Sequence, residues 1–222
     1  MTQTSSTAAD ALPVLTGNTL ADLLSAPGTK ALEPALVRFL QGQRWFAAKT
    51  ERDLGITFAD LGTLDGDERF RVGEAVVRTG EGEQRYLLPL TVGKGPEGIG
   101  SGIVAATSGG ERLLDATRDA EFSALVTGLI AKGGTVEVQG GELTFEGSSA
   151  KGAELEKASA VEPGDIKPLS GEQSNTSIGV GPVAIVKFYR LLRDGIQPEL
   201  EVTRFLTEKT SFTAAPALFG SV

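Results

Sequence analysis

The chain has 222 residues, which suffices for one or two domains at the usual size of about 150 residues. Apolar residues make up 40% of it, and because no run approaches the roughly 18 apolar residues of a membrane-spanning helix, we do not expect a membrane protein. The formal net charge of −8 argues against nucleic acid and anionic lipid as partners.

Two residue types are missing from the sequence, Cys and His. Disulfides, thiolate metal sites and imidazole general bases are therefore excluded, and any chemistry must come from carboxylates, Lys, Arg, hydroxyls and backbone amides. The lack of Cys is compatible with a reducing compartment, so we expect a cytoplasmic protein.

The first part of the chain is predicted to contain a tail and two helices. Residues 1–17 are rich in Thr, Ser and Ala, lack Lys and Arg, and have no apolar run, which is typical of a mobile tail and not of a signal peptide. A short helix is expected from residue 19 and a longer one over residues 31–46. The longer helix has its apolar residues at helical spacing: Leu32, Leu36, Phe39 and Leu40.

Three runs of β-forming residues follow, at 55–64, 71–78 and 84–92. The glycines and glutamates at 80–83 predict a hairpin turn between the last two runs. Two helices followed by antiparallel strands predict an α+β unit over residues 18–95.

A glycine-rich loop then marks a predicted domain boundary. Residues 93–102 contain five glycines and one proline in ten positions. We therefore assign residues 96–222 to a second region.

The second region begins with a predicted strand at 103–107 and a helix at 117–132, which ends at two glycines. A hairpin is expected over residues 135–146, around Gly140 and Gly141. The following stretch, 147–156, is rich in Ser, Ala, Gly and charge, so we expect it to be exposed or poorly ordered.

The last seventy residues carry the clearest pattern. They contain a strand near 165–169, a polar turn at 170–175, strands at 176–180 and 184–189, and a helix at 198–209. This order of elements, with a lysine in the third strand and a carboxylate on the helix, is the arrangement by which kinase-type N-lobes hold nucleotide phosphates.

Lys187 is the first candidate for function. It stands in the run VAIVKFY, where a charge on an otherwise apolar strand needs a partner or a ligand. An ATP phosphate and a helix carboxylate would both serve. The alternative is a lysine on the solvent face of the strand, with Val186 and Phe188 pointing inward.

The carboxylate could come from Glu199 or Glu201. Because these residues are two positions apart on a helix, only one of them is expected to point at the sheet. The alternative for both is a solvated position in which they complement the positive end of the helix dipole.

The polar turn is a candidate phosphate-covering loop, because its small side chains would let backbone amides approach a phosphate. It is neither a Walker A loop nor a GxGxxG loop, so alone it is a weak signal. Its candidate binding residues are Ser170, Gly171, Ser174, Asn175 and Thr176.

Two other groups of residues have a structural explanation that we prefer. Trp45, the single tryptophan, could form an interaction site, but a core anchor is the favoured interpretation. Asp115, Asp119 and Glu121 could suggest a metal site, but they are more typical of helix capping and first-turn acids.

Several short motifs occur together in a fixed order along the chain. They are QRWFAAK at 43–49, LDA at 114–116 with Glu121 and Phe122, EQSNTS at 172–177, VKFYR at 186–190, PELEVTRFL at 198–206, and APAL at 215–218 with Gly220 and Ser221. In this combination the sequence resembles the maltokinases, including the maltokinase portions fused to trehalose synthase, and the related glucosamine kinases.

The resemblance implies an N-terminal cap subdomain, made of helices and an antiparallel sheet, up to about residue 95. It implies next a kinase-like N-lobe with an antiparallel sheet and one helix, in which residues 170–177 cover the phosphates. Lys187 would contact ATP phosphates and pair with Glu201, which the resemblance favours over Glu199. The complete enzyme would use ATP with Mg²⁺ to phosphorylate maltose at its anomeric hydroxyl.

In that family the catalytic Asp, the magnesium ligands and the sugar pocket belong to a helical C-lobe, whereas this sequence stops at Val222. We therefore expect the chain to be inactive alone, to require no cofactor alone, and to be completed by a C-lobe. Three alternatives stay open: a glucosamine or other aminosugar kinase, a non-catalytic docking or regulatory module for a partner such as trehalose synthase, and an α+β domain without a nucleotide site.

Overall fold

The structure, a computed structural model, describes residues 12–51, 53–95, 102–169 and 174–222. It has the predicted α+β architecture, with five α-helices and three antiparallel or mixed sheets in the described ranges. No helix in these ranges is long and apolar enough to cross a membrane.

The N-terminal elements are β1 (Val14–Leu15), α1 (Leu20–Leu24) and α2 (Ala26–Gln41). Strand β1 lies within the predicted tail, but it pairs with a strand of the large sheet and buries Leu15, so the tail does not extend to residue 17. Helix α2 begins five residues before the predicted start, because Pro27 is well placed in a first helical turn. It also ends five residues before the predicted end, at Gln41.

Four strands follow: β2 (Gly55–Leu64), β3 (Asp67–Thr79), β4 (Gly82–Leu87) and β5 (Leu90–Gly93). The turn predicted between the second and third runs is confirmed between β3 and β4. The third predicted run is divided into β4 and β5 at Pro89, which has no backbone N–H to donate to a ladder.

The middle of the chain contains β6 (Ile103–Thr107), β7 (Arg112–Asp115), α3 (Ala120–Lys132), β8 (Gly134–Val138) and β9 (Gly141–Gly147). The hairpin of β8 and β9 was predicted. Asp119 accepts hydrogen bonds from the first amides of α3, which explains where this helix begins.

Helix α4 (Gly152–Ser159) shows that the stretch at 147–156 is ordered, although most of its residues are exposed, as expected. Its side chains at Leu155 and Ala158 are buried, and the helix packs against α3. Burial of these two side chains stabilises a segment whose composition alone does not predict a helix.

The C-terminal elements are β10 (Ile166–Pro168), β11 (Asn175–Val180), β12 (Ala184–Tyr189), β13 (Leu191–Leu192) and, after these, α5 (Pro198–Lys209) and β14 (Gly220–Ser221). The sheet formed by β10, β11 and β12, followed by α5, is the arrangement expected of a kinase-like N-lobe. We call it the small sheet.

The large sheet has eight strands. Seven of them follow the order β1-β6-β7-β5-β3-β4-β13, and the eighth, β2, pairs with β3 outside this order. It therefore contains strands from both sides of the boundary predicted at residues 95–96, and the division into domains stays a prediction. One apolar core lies between this sheet and helices α1 and α2, and a second surrounds α3 and the small sheet.

Candidate functional site

Lys187 lies near the middle of β12, on the face of the small sheet that is turned away from the core. Residues of a strand alternate between the two faces, and Val186 and Phe188 belong to the second core. The antiparallel register pairs Lys187 with Ser177 and Tyr189 with Asn175. These four residues therefore share one face, which we call the outer face.

Lys187 is paired with a carboxylate of α5, but the partner in the structure is Glu199. Lys187 Nζ lies 2.6 Å from Glu199 Oε1. The expected pairing with Glu201 is thus corrected, because the rotation of α5, which begins at Pro198, turns Glu199 toward Lys187. Glu201, two positions on, points elsewhere and borders a shallow groove on α5.

The electrostatics of this pair favour the charged form of Glu199. The hydrogen bond from Lys187 lowers the pKa of Glu199, and a further hydrogen bond from Tyr189 acts in the same direction against the effect of burial. Both side chains of the pair are partly exposed, so an anionic ligand can reach Lys187 from solvent.

The predicted phosphate-covering residues fall into three groups. Ser170 and Gly171 lie outside the described residues. Ser174 is exposed, and Asn175 begins β11 on the outer face beside Tyr189. Thr176 is on the opposite face, where its Oγ1 accepts a hydrogen bond of 2.9 Å from Arg190 Nε, so its side chain does not lie with Lys187.

Apolar side chains stand beside Lys187 on the outer face, a feature that the sequence interpretation did not use. Ile185 is 59% exposed and Leu169 is 46% exposed. Gly179 is the register partner of Ile185, and a Cβ added to it would lie 3.2 Å from Leu169 Cδ2. The exposed apolar surface of Leu169 and Ile185 thus lies near two ammonium groups, those of Lys187 and of Lys167, which is the other register partner of Gly179. An apolar surface beside positive charge suits a planar ring attached to an anion. Strand alternation could have predicted this position, because Ile185 is two residues before Lys187 and therefore lies on the same face.

Arg190 is a second residue that the sequence interpretation missed. Its side chain is completely buried and forms an ion pair with the equally buried Asp115. The guanidinium also donates to the carbonyl of Leu87 and stacks on Trp45, with 4.7 Å from Arg190 Cζ to the ring centroid. Strand alternation could have predicted its burial, because Val186, Phe188 and Arg190 are two residues apart and therefore lie on the same face.

The acidic residues near α3 have the structural roles that we preferred. Asp115 accepts from the backbone N–H of Thr117 at 3.1 Å, and Asp119 accepts from that of Glu121 at 2.8 Å. Across the ranges that the structure describes, no three residues of the types Asp, Glu, Cys or His come together as a metal site. Trp45 is buried in the first core, as expected of a core anchor.

The chain was compared with known protein families. Residues 39–119 match the family model of the maltokinase N-terminal cap domain. The matched stretch starts in α2 and ends just before α3, so it includes most of the large sheet together with Trp45 and Asp115. This finding confirms the resemblance to a maltokinase N-terminal region, while the small sheet and Lys187 lie outside the match.

Proposed function

We propose that this chain forms the ATP-binding part of a cytoplasmic maltokinase-type sugar kinase. The observation that supports it best is the outer face of the small sheet, where the Lys187–Glu199 pair lies beside exposed Leu169 and Ile185. A lysine held by a carboxylate next to an apolar surface suits a nucleoside triphosphate, because the ammonium group attracts the phosphates and the apolar surface packs against the base.

Each residue has a defined task in this proposal. Lys187 donates to phosphate oxygens as a compact point charge, and Glu199 holds its ammonium group in place between binding events. Leu169 and Ile185 cover one face of the adenine ring.

The remaining chemistry is assigned to a C-lobe. That lobe would supply the Mg²⁺ ligands, the acid that orients the attacking hydroxyl and the sugar pocket. The reaction of the whole enzyme would transfer the γ-phosphoryl group of ATP to the anomeric oxygen of maltose, which gives maltose 1-phosphate and ADP. An aminosugar kinase would use the same outer face, because neither Lys187 nor Glu199 selects the sugar.

Titration of the chain with MgATP tests the nucleotide assignment, with backbone amide NMR shifts as the readout. We expect shifts at Gly179 and Ile185 with MgATP and with adenosine, and shifts at Lys187 with MgATP and with tripolyphosphate. Lys187→Ala should weaken MgATP binding by about tenfold or more, the loss of one hydrogen bond between charged groups. Shifts confined to other parts of the chain would contradict the proposal.

Glu199→Gln and Glu201→Gln form a matched pair of variants for the same titration. Each removes one charge from the first turns of α5, and of these two glutamates it is Glu199 that the structure pairs with Lys187. We expect Glu199→Gln to change the affinity for MgATP and Glu201→Gln to leave it close to that of the parent chain. Equal effects would show that charge near the helix matters and that the pair does not.

A docking or regulatory module is the second candidate function. It is favoured by α5, whose side chains at Val202 and Phe205 are more than half exposed. A partner in glucan or trehalose metabolism, such as trehalose synthase, would then cover this helix. Retention of that partner by Lys187→Ala, together with its loss from Phe205→Ser, would favour this function over nucleotide binding.

A further inference from the structure

Arg190 stands at the junction between the two sheets. The chain leaves the small sheet at Tyr189 and joins the large sheet at Leu191, which pairs with Tyr86 of β4. The carbonyl oxygen of Arg190 itself accepts a hydrogen bond of 2.7 Å from the amide of Leu87. A change in the backbone at this residue would therefore tilt one sheet relative to the other.

The side chain of Arg190 fixes the same junction from inside the protein. Its Nε donates to Thr176 of β11 at 2.9 Å, and its Nη1 donates to Asp115 Oδ1 and to the carbonyl of Leu87, each at 3.2 Å. Its Nη2 donates to Asp115 and Thr117. One planar guanidinium thus joins the small sheet, the end of β7 and the end of β4, which a lysine could not do.

The aromatic contact extends this arrangement into the cap. Trp45 packs against the guanidinium on one side and lies 5.8 Å from the ring of Tyr86, centroid to centroid. Both aromatic residues are buried in the core between α2 and the large sheet. The position of Arg190 is therefore determined by packing in the segment that matches the cap family.

We infer that Arg190 is a positioning residue that holds the strand of Lys187 at a fixed orientation to the cap. Lys187 and Arg190 are three positions apart on one chain and face opposite sides of the small sheet, so Arg190 does not touch a ligand on the outer face. Its effect passes through Thr176, which is the register partner of Phe188 between them. The part of this inference that concerns MgATP rests on the proposed function.

Thr176→Val tests the inference, because it removes the acceptor of Nε and keeps the shape of the side chain. Thr127→Val is the matched control: Thr127 is also buried, and its hydroxyl donates to the carbonyl of Ser123 within α3, away from Arg190. Amide hydrogen exchange in β11 and β12 should rise by about an order of magnitude in Thr176→Val and stay unchanged in Thr127→Val. Thr176→Ser, which keeps the hydroxyl, should restore the slow exchange.

Equal exchange in β11 and β12 for the two valine variants would overturn the inference, whatever the chain does with nucleotides. MgATP affinity is the second readout, and it should fall in Thr176→Val although Thr176 faces away from Lys187. If the parent chain does not bind MgATP, the proposed function fails while the exchange data still decide the positioning role. If Thr176→Val does not fold, Thr176→Ala replaces it, because it also removes the acceptor of Nε. Exchange in β11 and β12 equal to that of Thr127→Ala then overturns the inference.

Discussion

Asp115 and Arg190 form an ion pair whose two side chains have no exposure to solvent. Burial of two charges costs desolvation free energy, which is repaid only when further hydrogen bonds satisfy both groups. Here Thr117 donates to the carboxylate through its backbone N–H and its hydroxyl, while Thr176 and Leu87 accept from the guanidinium. The pair is therefore costly to break from either side.

Asp115→Ala is expected to lower the free energy of unfolding by about 3–5 kcal/mol, because it leaves the guanidinium buried and unpaired. Urea denaturation followed by circular dichroism measures the loss. Glu83→Ala is the control, since Glu83 and Arg78 form an exposed pair with 3.5 Å between Oε2 and Nε. That change should cost less than about 1 kcal/mol. A similar small loss for Asp115→Ala would contradict the role given to the buried pair.

Glu199→Gln is expected to alter the pH dependence of stability. The pKa of Glu199 is lowered in the folded chain, so its ionised form contributes stability above the unfolded pKa of about 4.3. This contribution is lost as the pH falls through the lower folded pKa. The two unfolding free energies should therefore differ at pH 7, by less than about 1 kcal/mol for so exposed a pair, and converge in acid.

The measurement is a series of urea denaturation curves between neutral pH and pH 3. Glu201→Gln serves as the matched control for the loss of one charge from the first turns of α5. A constant difference between Glu199→Gln and the parent chain across the series would show that the ion pair does not contribute to stability.

Elements with strong local signals could be predicted from the sequence. Helix α3 has an acidic N-cap at Asp119, an apolar stripe and glycines after its end, and the structure gives it nearly the predicted range. The hairpin of β8 and β9 likewise follows from alternation and a glycine turn. The outer position of Lys187 was one of the two alternatives that strand alternation left open.

Features that depend on packing between distant segments could not be predicted. Whether Glu199 or Glu201 faces Lys187 is decided by the path of the chain from Tyr189 to Pro198, which sets the rotation of α5. Arg190 is buried because Asp115 and Trp45, 75 and 145 residues earlier, surround it. No local pattern records such a contact.

Trp45→Ala is expected to destabilise the first core by about 3–5 kcal/mol, because Trp45 is buried against Phe39, Tyr86 and Arg190. Thermal unfolding of the two proteins measures the effect. Trp45→Phe keeps a ring against the guanidinium and should recover part of the loss. A change in melting temperature of only one or two degrees for Trp45→Ala would contradict a core anchor.

Gly73→Ala tests a close contact within the large sheet. The ring of Phe58 crosses Gly73 from the neighbouring strand, and an added Cβ would lie 2.6 and 2.9 Å from its Cε2 and Cε1 atoms and closer still to Cζ. A buried aromatic ring over a glycine compensates for the missing side chain in a strand, so a methyl group here has no room. We expect Gly73→Ala to lower the free energy of unfolding by about 1–3 kcal/mol.

Gly55→Ala is the control for this substitution, because Gly55 is also in a strand and its added Cβ would lie at an ordinary 3.6 Å from Arg78 Cβ. It should be neutral or slightly stabilising. Phe58→Leu creates space above residue 73, so the double variant with Gly73→Ala should lose less stability than the sum of the single losses. Strict additivity would mean that the ring of Phe58 is not what makes glycine necessary at this position.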